Sequence, residues 1–195
     1  LYLIWSDPRM LLILQTVVLG LGAVFVYKIS VQVVKHKSLS LIFAYSYLLN
    51  PLLQKQNLYD FHAVTLATTL LLGVWYFFLR KRFVWMTLFL VLAVLTKENI
   101  YLVAILFGLF LIYKKHYKLG AGIAGVSAIV FLLIMQTFIP GARGGEHFAV
   151  TFLSDFGDSF SSAVVTILTN PVKTASVFFE HKGLAYLNMI LLPVG

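Results

Sequence analysis

The chain has 195 residues, 61% of them hydrophobic and only 11% charged, with a mean hydropathy of +0.93. An ordinary soluble domain carries about a quarter of its residues as charged ones, so a water-solvated surface cannot be made from this composition. There is no Cys, which excludes disulfides, thiolate metal sites and thiol nucleophiles.

Charged residues divide the chain into about seven apolar segments, near 9–27, 39–54, 62–79, 83–96, 100–113, 119–139 and 183–195. The expected fold is therefore all-α: a polytopic transmembrane helical bundle, read as one partial transmembrane domain over 1–195. Ser6-Asp7-Pro8 is an N-cap with proline in the first turn, which starts the first helix, and Asn50-Pro51 bends or ends the second segment. The stretch 83–113 allows two readings: one long helix with Lys97 and Glu98 at its middle, or two short helices that turn back at Lys97-Glu98-Asn99. Arg80, Lys81 and Arg82 flank it on one side, and Lys114, Lys115 and Lys118 on the other. Both clusters belong on the cytoplasmic side by the positive-inside rule, which decides for the turn.

The same rule makes the connection with Lys28, Lys35 and Lys37 cytoplasmic, and these three connections contain no acid. Asp7, Asp60, Glu98, Glu146, Asp155, Asp158 and Glu180 then all fall on the extracytoplasmic side, joined by Arg9, Lys55, Lys97, Arg143, Lys173 and Lys182. The net charge of +8 is thus a signal of topology in a multi-pass protein of the plasma membrane. The lipid bilayer is the expected partner, and nucleic acid is not. The long outer loop 140–182 opens with Pro140-Gly141-Ala142-Arg143-Gly144-Gly145 and mixes Phe148, Phe152, Phe156 and Phe160 with Asp and Ser, a pattern for helices lying in the interface. Asn170-Pro171 is a second cap that starts one of them.

Three outward sites could carry chemistry. Asp60-Phe61-His62 places two proton-transferring or metal-capable groups at the mouth of a helix; Asp60 also reads as the cap of the helix beginning near Phe61. Lys97-Glu98 lies at the tip of a hairpin with short arms, where Lys97 can bind a lipid phosphate and Glu98 can meet sugar hydroxyls or a cation, or both are simply solvated. Arg143, Glu146 and His147 sit in a glycine-flanked group that could present a guanidinium and backbone N–H groups to phosphate, or form a surface loop. Asp60, His62, Glu146 and His147 are the candidate ligands of a divalent cation. His36, His116 and His181 have no partner pattern and read as solvated.

The run Leu92-Ala93-Val94-Leu95-Thr96-Lys97 resembles the Leu-Thr-Lys signature of the protein mannosyltransferase and aminoarabinose transferase group of GT-C glycosyltransferases. More closely, the chain resembles the domain-of-unknown-function family 2079, uncharacterised prokaryotic membrane proteins placed in that superfamily. The matching stretches are 1–15, Asn57-Leu58-Tyr59-Asp60-Phe61-His62, Thr96-Lys97-Glu98, and Ile139-Pro140 with its Gly-rich turn. The resemblance implies a GT-C-like fold, a polyprenyl-phosphate sugar donor, an active site on the extracytoplasmic face and inverting transfer without a covalent enzyme intermediate. It also implies a general base in an outer loop ahead of Leu1, with Asp60 and Glu98 in supporting catalytic roles and His62, Lys97 and Arg143 binding substrate. Glu98 stands where better-known members have Gly. A membrane transporter and a non-catalytic scaffold are the alternative readings of the same residues.

Overall fold

The computed structural model describes residues 7, 9–135, 155–157 and 160–180. Every regular element among the described residues is a helix, and the chain forms two compact units that divide between Ala128 and Ile129.

In the first unit, α1 (Arg9–Val34) is followed by α2 (Lys37–Leu48), α3 (Pro51–Leu58), α4 (Ala63–Leu79), α5 (Phe83–Val94), α6 (Ile100–Tyr113) and α7 (Tyr117–Leu133), which runs across the division. The cap expected at Ser6-Asp7-Pro8 rests on Asp7, whose carboxylate accepts from the Arg9 N–H at 2.8 Å; Ser6 and Pro8 lie outside the described residues. Two segment boundaries need correction. The first helix does not stop at 27 but continues to Val34, because Lys28 is a good helix former and nothing before Lys35 breaks the backbone. The second segment does not run to 54: Asn50 accepts from the Leu52 and Leu53 N–H groups and, with Pro51 at the first position, starts a separate short helix. Asn50→Ala is expected to lower stability by about 1 kcal/mol, read as a small fall in the melting temperature of the purified protein.

The stretch 83–113 is two helices, not one. Leu95 to Asn99 form the turn, and Ala93 packs with Ile100 and with Ala67 of α4. Lateral contacts fix the directions: Gln15 meets His62, Thr69 donates to the Val18 carbonyl at 2.8 Å, and Phe25 packs on Tyr76 and Phe77, so α1 and α4 run parallel. Phe77 stacks near Trp85 and Phe89, which makes α5 antiparallel to α4. The result gathers Lys35, Arg80, Lys81, Arg82, Lys114 and Lys115 at one end of these helices, and Asp7, Asp60 and Glu98 at the other.

The buried positions form helical stripes in which small and polar residues alternate with a few large apolar ones: Gln15, Leu19, Gly22 and Ala23 on α1, Ser40 and Ala44 on α2, Ile100, Ala104, Gly108 and Leu111 on α6. Opposite faces expose large apolar side chains, such as Val17, Leu21 and Val24 on α1 or Leu102, Leu106 and Leu109 on α6. A soluble protein does the reverse, and small residues at helix contacts with apolar ones outside are what lipid solvation requires. At 1.5 Å per residue the 26 residues of α1 span about 39 Å, and among the described residues this is the one helix long and apolar enough to cross a membrane. α4, α5, α6 and α7 are shorter apolar helices of 10–17 residues. Segment 183–195 and the end of 119–139 lie outside the described residues.

Each basic turn contains a lysine in the left-handed region: Lys35 at φ 57°, Lys81 at φ 54° and Lys115 at φ 66°. At Lys81 and Lys115 the flanking N–H groups bond back across the helix end, Arg82 to Phe77 and His116 to Leu111, which satisfies the last carbonyls. His36 and His116 are not merely solvated. His36 accepts from the Leu39 N–H as the cap of α2, and the His116 ring packs 4.8 Å from that of Phe83; His181 lies outside the described residues.

In the second unit, α8 (Phe160–Thr169) and α9 (Pro171–Glu180) form a short hairpin. The expected cap is present, with Asn170 accepting from the Lys173 N–H, and the Thr174 hydroxyl donates to the Ile167 carbonyl. Leu168, Val172 and Phe179 are exposed, as interfacial helices would have them.

Candidate functional site

The acidic end is organised by a residue that carries no charge. Gln15 is fully buried in α1; its Nε2 donates to the Gln56 carbonyl at 3.2 Å and its Oε1 accepts from the His62 N–H at 3.2 Å. One carboxamide thus ties α1 to α3 and to the connection entering α4. Gln56 extends the chain by donating to the Thr65 hydroxyl at 3.2 Å, and from the residue after Gln15, Thr16 donates to Asn57 Oδ1 at 3.1 Å. The Gln15 and Gln56 bonds are shielded from solvent, where a polar group left without a partner is costly, while the Thr16–Asn57 bond is exposed.

His62 is held at three points. Besides its N–H, its Nδ1 lies 2.8 Å from the Asp60 carbonyl, and its ring sits 6.1 Å from Tyr59. Since a carbonyl only accepts, Nδ1 carries the proton, and Nε2 is left as the basic nitrogen. Asp60 itself is exposed and does not cap the helix: α4 begins at Ala63, with His62 at the cap position. The reason is the extended connection Asp60–His62, which spends the His62 N–H on Gln15 before the helix starts.

The Thr96 to Glu98 turn belongs to the same end. The start of α4, through Val64 and Ala67, packs on Ala93 and Val94 at the end of α5 and on Ile100 at the start of α6. Thr96 donates to the Ala93 carbonyl at 2.7 Å and the Ile100 N–H to the Lys97 carbonyl at 3.1 Å, which fixes the turn. Lys97 is exposed at its tip and Glu98 is half-buried. Beside the start of α4 lies a cavity of about 420 Å³ lined by Tyr47, Asn50, Leu52, Leu53, Gln56, Thr65 and Thr68. Its polar groups are hydroxyls and carboxamides, with no charged residue among them, and it shares Gln56 and Thr65 with the network that holds His62.

Of the residues singled out in the sequence, Asp60, His62, Lys97 and Glu98 are therefore brought to one end, while Arg143, Glu146 and His147 lie outside the described residues. Among the described residues no group of three or more His, Asp or Glu is placed to hold a metal ion; Asp60 and His62 supply two such groups. Gln15, Gln56 and Thr65 are not singled out by the sequence pattern, although an amide inside the apolar run 10–27 is a visible signal.

Helices that bury many small and polar residues at their contacts and turn many large apolar side chains outward fit a helical membrane protein. The chain belongs to the family described as Predicted membrane protein (DUF2079), whose family model matches residues 1–195. No curated protein and no solved structure matches the chain.

Proposed function

We propose that this protein is a multi-pass membrane glycosyltransferase of GT-C type, taking its sugar from a polyprenyl-phosphate donor at the acidic end of the helices, which faces away from the cytoplasm. The observation that supports it best is the placement of two connections, Asp60–His62 and Thr96–Glu98, at one end of the helices, where the start of α4 packs on the end of α5 and an uncharged cavity has hydroxyls and amides as its polar groups. That lining suits a sugar ring, a neutral ligand with many hydroxyls, and its volume of about 420 Å³ is large enough to admit one.

On this reading the acceptor hydroxyl attacks the anomeric carbon as the bond from that carbon to the lipid phosphate breaks. Lys97 stabilises the charge developing on the phosphate leaving group. His62 Nε2 accepts a hydrogen bond from a substrate hydroxyl, while Asp60 and Glu98 orient acceptor or donor. The hydroxyl proton leaves to an acidic general base, as the resemblance implies. Any divalent cation would draw on Asp60 and His62.

Lys97→Ala in the full-length protein is expected to abolish transfer from a polyprenyl-phosphate sugar, a loss of at least about a hundredfold for one lost transition-state cation. Membrane insertion and yield are expected to stay unchanged, since Lys97 is exposed at a turn. Transfer retained by the alanine variant would sink the assignment.

A further inference from the structure

At the basic end a second cavity, of about 250 Å³, is lined by Tyr27, Lys28, Val31, Gln32, Tyr76 and Arg80. The Lys28 ammonium lies 5.7 Å from the centre of the Tyr76 ring, and the Arg80 guanidinium 6.0 Å from the same ring. Two cations from different helices are thus held over one aromatic, with no acidic residue lining the cavity. Like charges brought together leave a potential that an anion relieves. Gln32 lines the same cavity, and its side-chain oxygen is buried with no hydrogen-bond partner among the described residues. A ligand that satisfies all three groups carries a phosphate and, next to it, a hydroxyl donor.

The surroundings select the source of that phosphate. Lys28 lies six residues before the end of α1, about 9 Å along the helix from Val34, and directly follows the apolar run 10–27. Val17, Leu21 and Val24 precede it on one helical stripe, all exposed, and form a continuous apolar track that ends at the ammonium. A free phosphate has no use for such a track, whereas an acyl chain has.

We propose that this cavity binds an anionic phospholipid with a hydroxyl-bearing headgroup, of the phosphatidylglycerol type: the phosphate between Lys28 and Arg80, a headgroup hydroxyl on Gln32, and an acyl chain along Val24, Leu21 and Val17. The site rests on membrane residence alone and is independent of any transferase activity at the opposite end. Basic pockets between membrane helices hold anionic headgroups by this chemistry.

The test measures lipid binding to the full-length protein in a mild detergent by native mass spectrometry, with dioleoylphosphatidylglycerol and dioleoylphosphatidylcholine as probes. Phosphatidylglycerol is expected to bind in preference, and the double exchange Lys28→Gln with Arg80→Gln to weaken it about thirtyfold. The pair Lys114→Gln with Lys118→Gln removes the same charge elsewhere and is expected to leave the affinity within about twofold of the parent. Equal binding of both lipids, an unchanged affinity in the Lys28 and Arg80 variant, or an equal loss in the control pair overturns the site. Full displacement of the lipid by millimolar inorganic phosphate overturns the lipid as its ligand. If the double variant does not fold, the two single exchanges are measured instead, and unchanged affinity in both likewise overturns the site.

Discussion

Gly108→Leu is expected to prevent recovery of a monodisperse protein, because α6 and α7 approach here with no room for any side chain. A Cβ on Gly108 would lie 2.7 Å from the Ala124 backbone nitrogen and 2.8 Å from the Gly120 carbonyl oxygen. One on Gly120 would lie 2.6 Å from the Gly108 oxygen and 2.8 Å from the Ile112 nitrogen. These obstacles are backbone, so no rotamer change relieves them and the helices must separate. Overpacking a core against movable side chains already costs about 1–3 kcal/mol, and here the loss is expected at or above about 3 kcal/mol. Separation would open the packing around Ala104 and Leu111, both fully buried, and that interface holds α6 in place behind Ile100 and the Lys97 turn. Gly122 and Gly125 lie on α7 with open space around them. Gly122→Ala is therefore the matched control, expected to raise stability by about 0.5–1 kcal/mol through reduced backbone freedom. Size-exclusion profiles and melting curves in detergent check both, and a Gly108→Leu protein that melts with the parent would refute the close approach.

Gln15→Leu is expected to carry the second largest effect, and of a different kind. Leucine preserves volume and apolarity but leaves the Gln56 carbonyl and the His62 N–H without the partner they have now. A donor or acceptor stranded in this way costs about 1–3 kcal/mol. Hydrogen bonds between membrane helices average nearer about 0.6 kcal/mol, but those averages include bonds whose partners find replacements. Here a single side chain serves two backbone groups on two separate elements and is completely buried, which argues for the upper range. The distinguishing result is local: amide hydrogen exchange should quicken across 59–62 while α6 keeps its protection. Uniform destabilisation with no change at 59–62 would show that Gln15 packs the helix and does not position His62.

The helix ends legible in the sequence are the ones marked by charge. Arg80 to Arg82 and Lys114 to Lys118 delimit α4, α5, α6 and α7 to within a few residues, and the turn at Lys97 follows from having both clusters on one side. Charge misleads at Lys28, which continues α1 as readily as a leucine would, while the residue that does end the helix is another lysine in an unusual backbone conformation. Nothing in the identity of Lys35 announces that. The polar network stays hidden for another reason: Gln15 is separated by 41 residues from Gln56 and by 47 from His62, and neutral amides show no pattern until folding brings them together. Asp60 and His62 are visible as a pair, but which ring nitrogen of His62 is free depends on a carbonyl contact that only the structure supplies.

The three lysines with positive φ occupy positions where glycine would sit without strain and a side chain costs about 1–2 kcal/mol. Glycine at Lys35, Lys81 or Lys115 would relax its turn, yet would also strip a positive charge from the end that the proposed orientation leaves in the cytoplasm. Ease of turning and direction of insertion are therefore opposed at the same three residues. A chain improved only for thermal stability would drift toward glycine there, and would become a sturdier protein less certain of which way round to enter the bilayer.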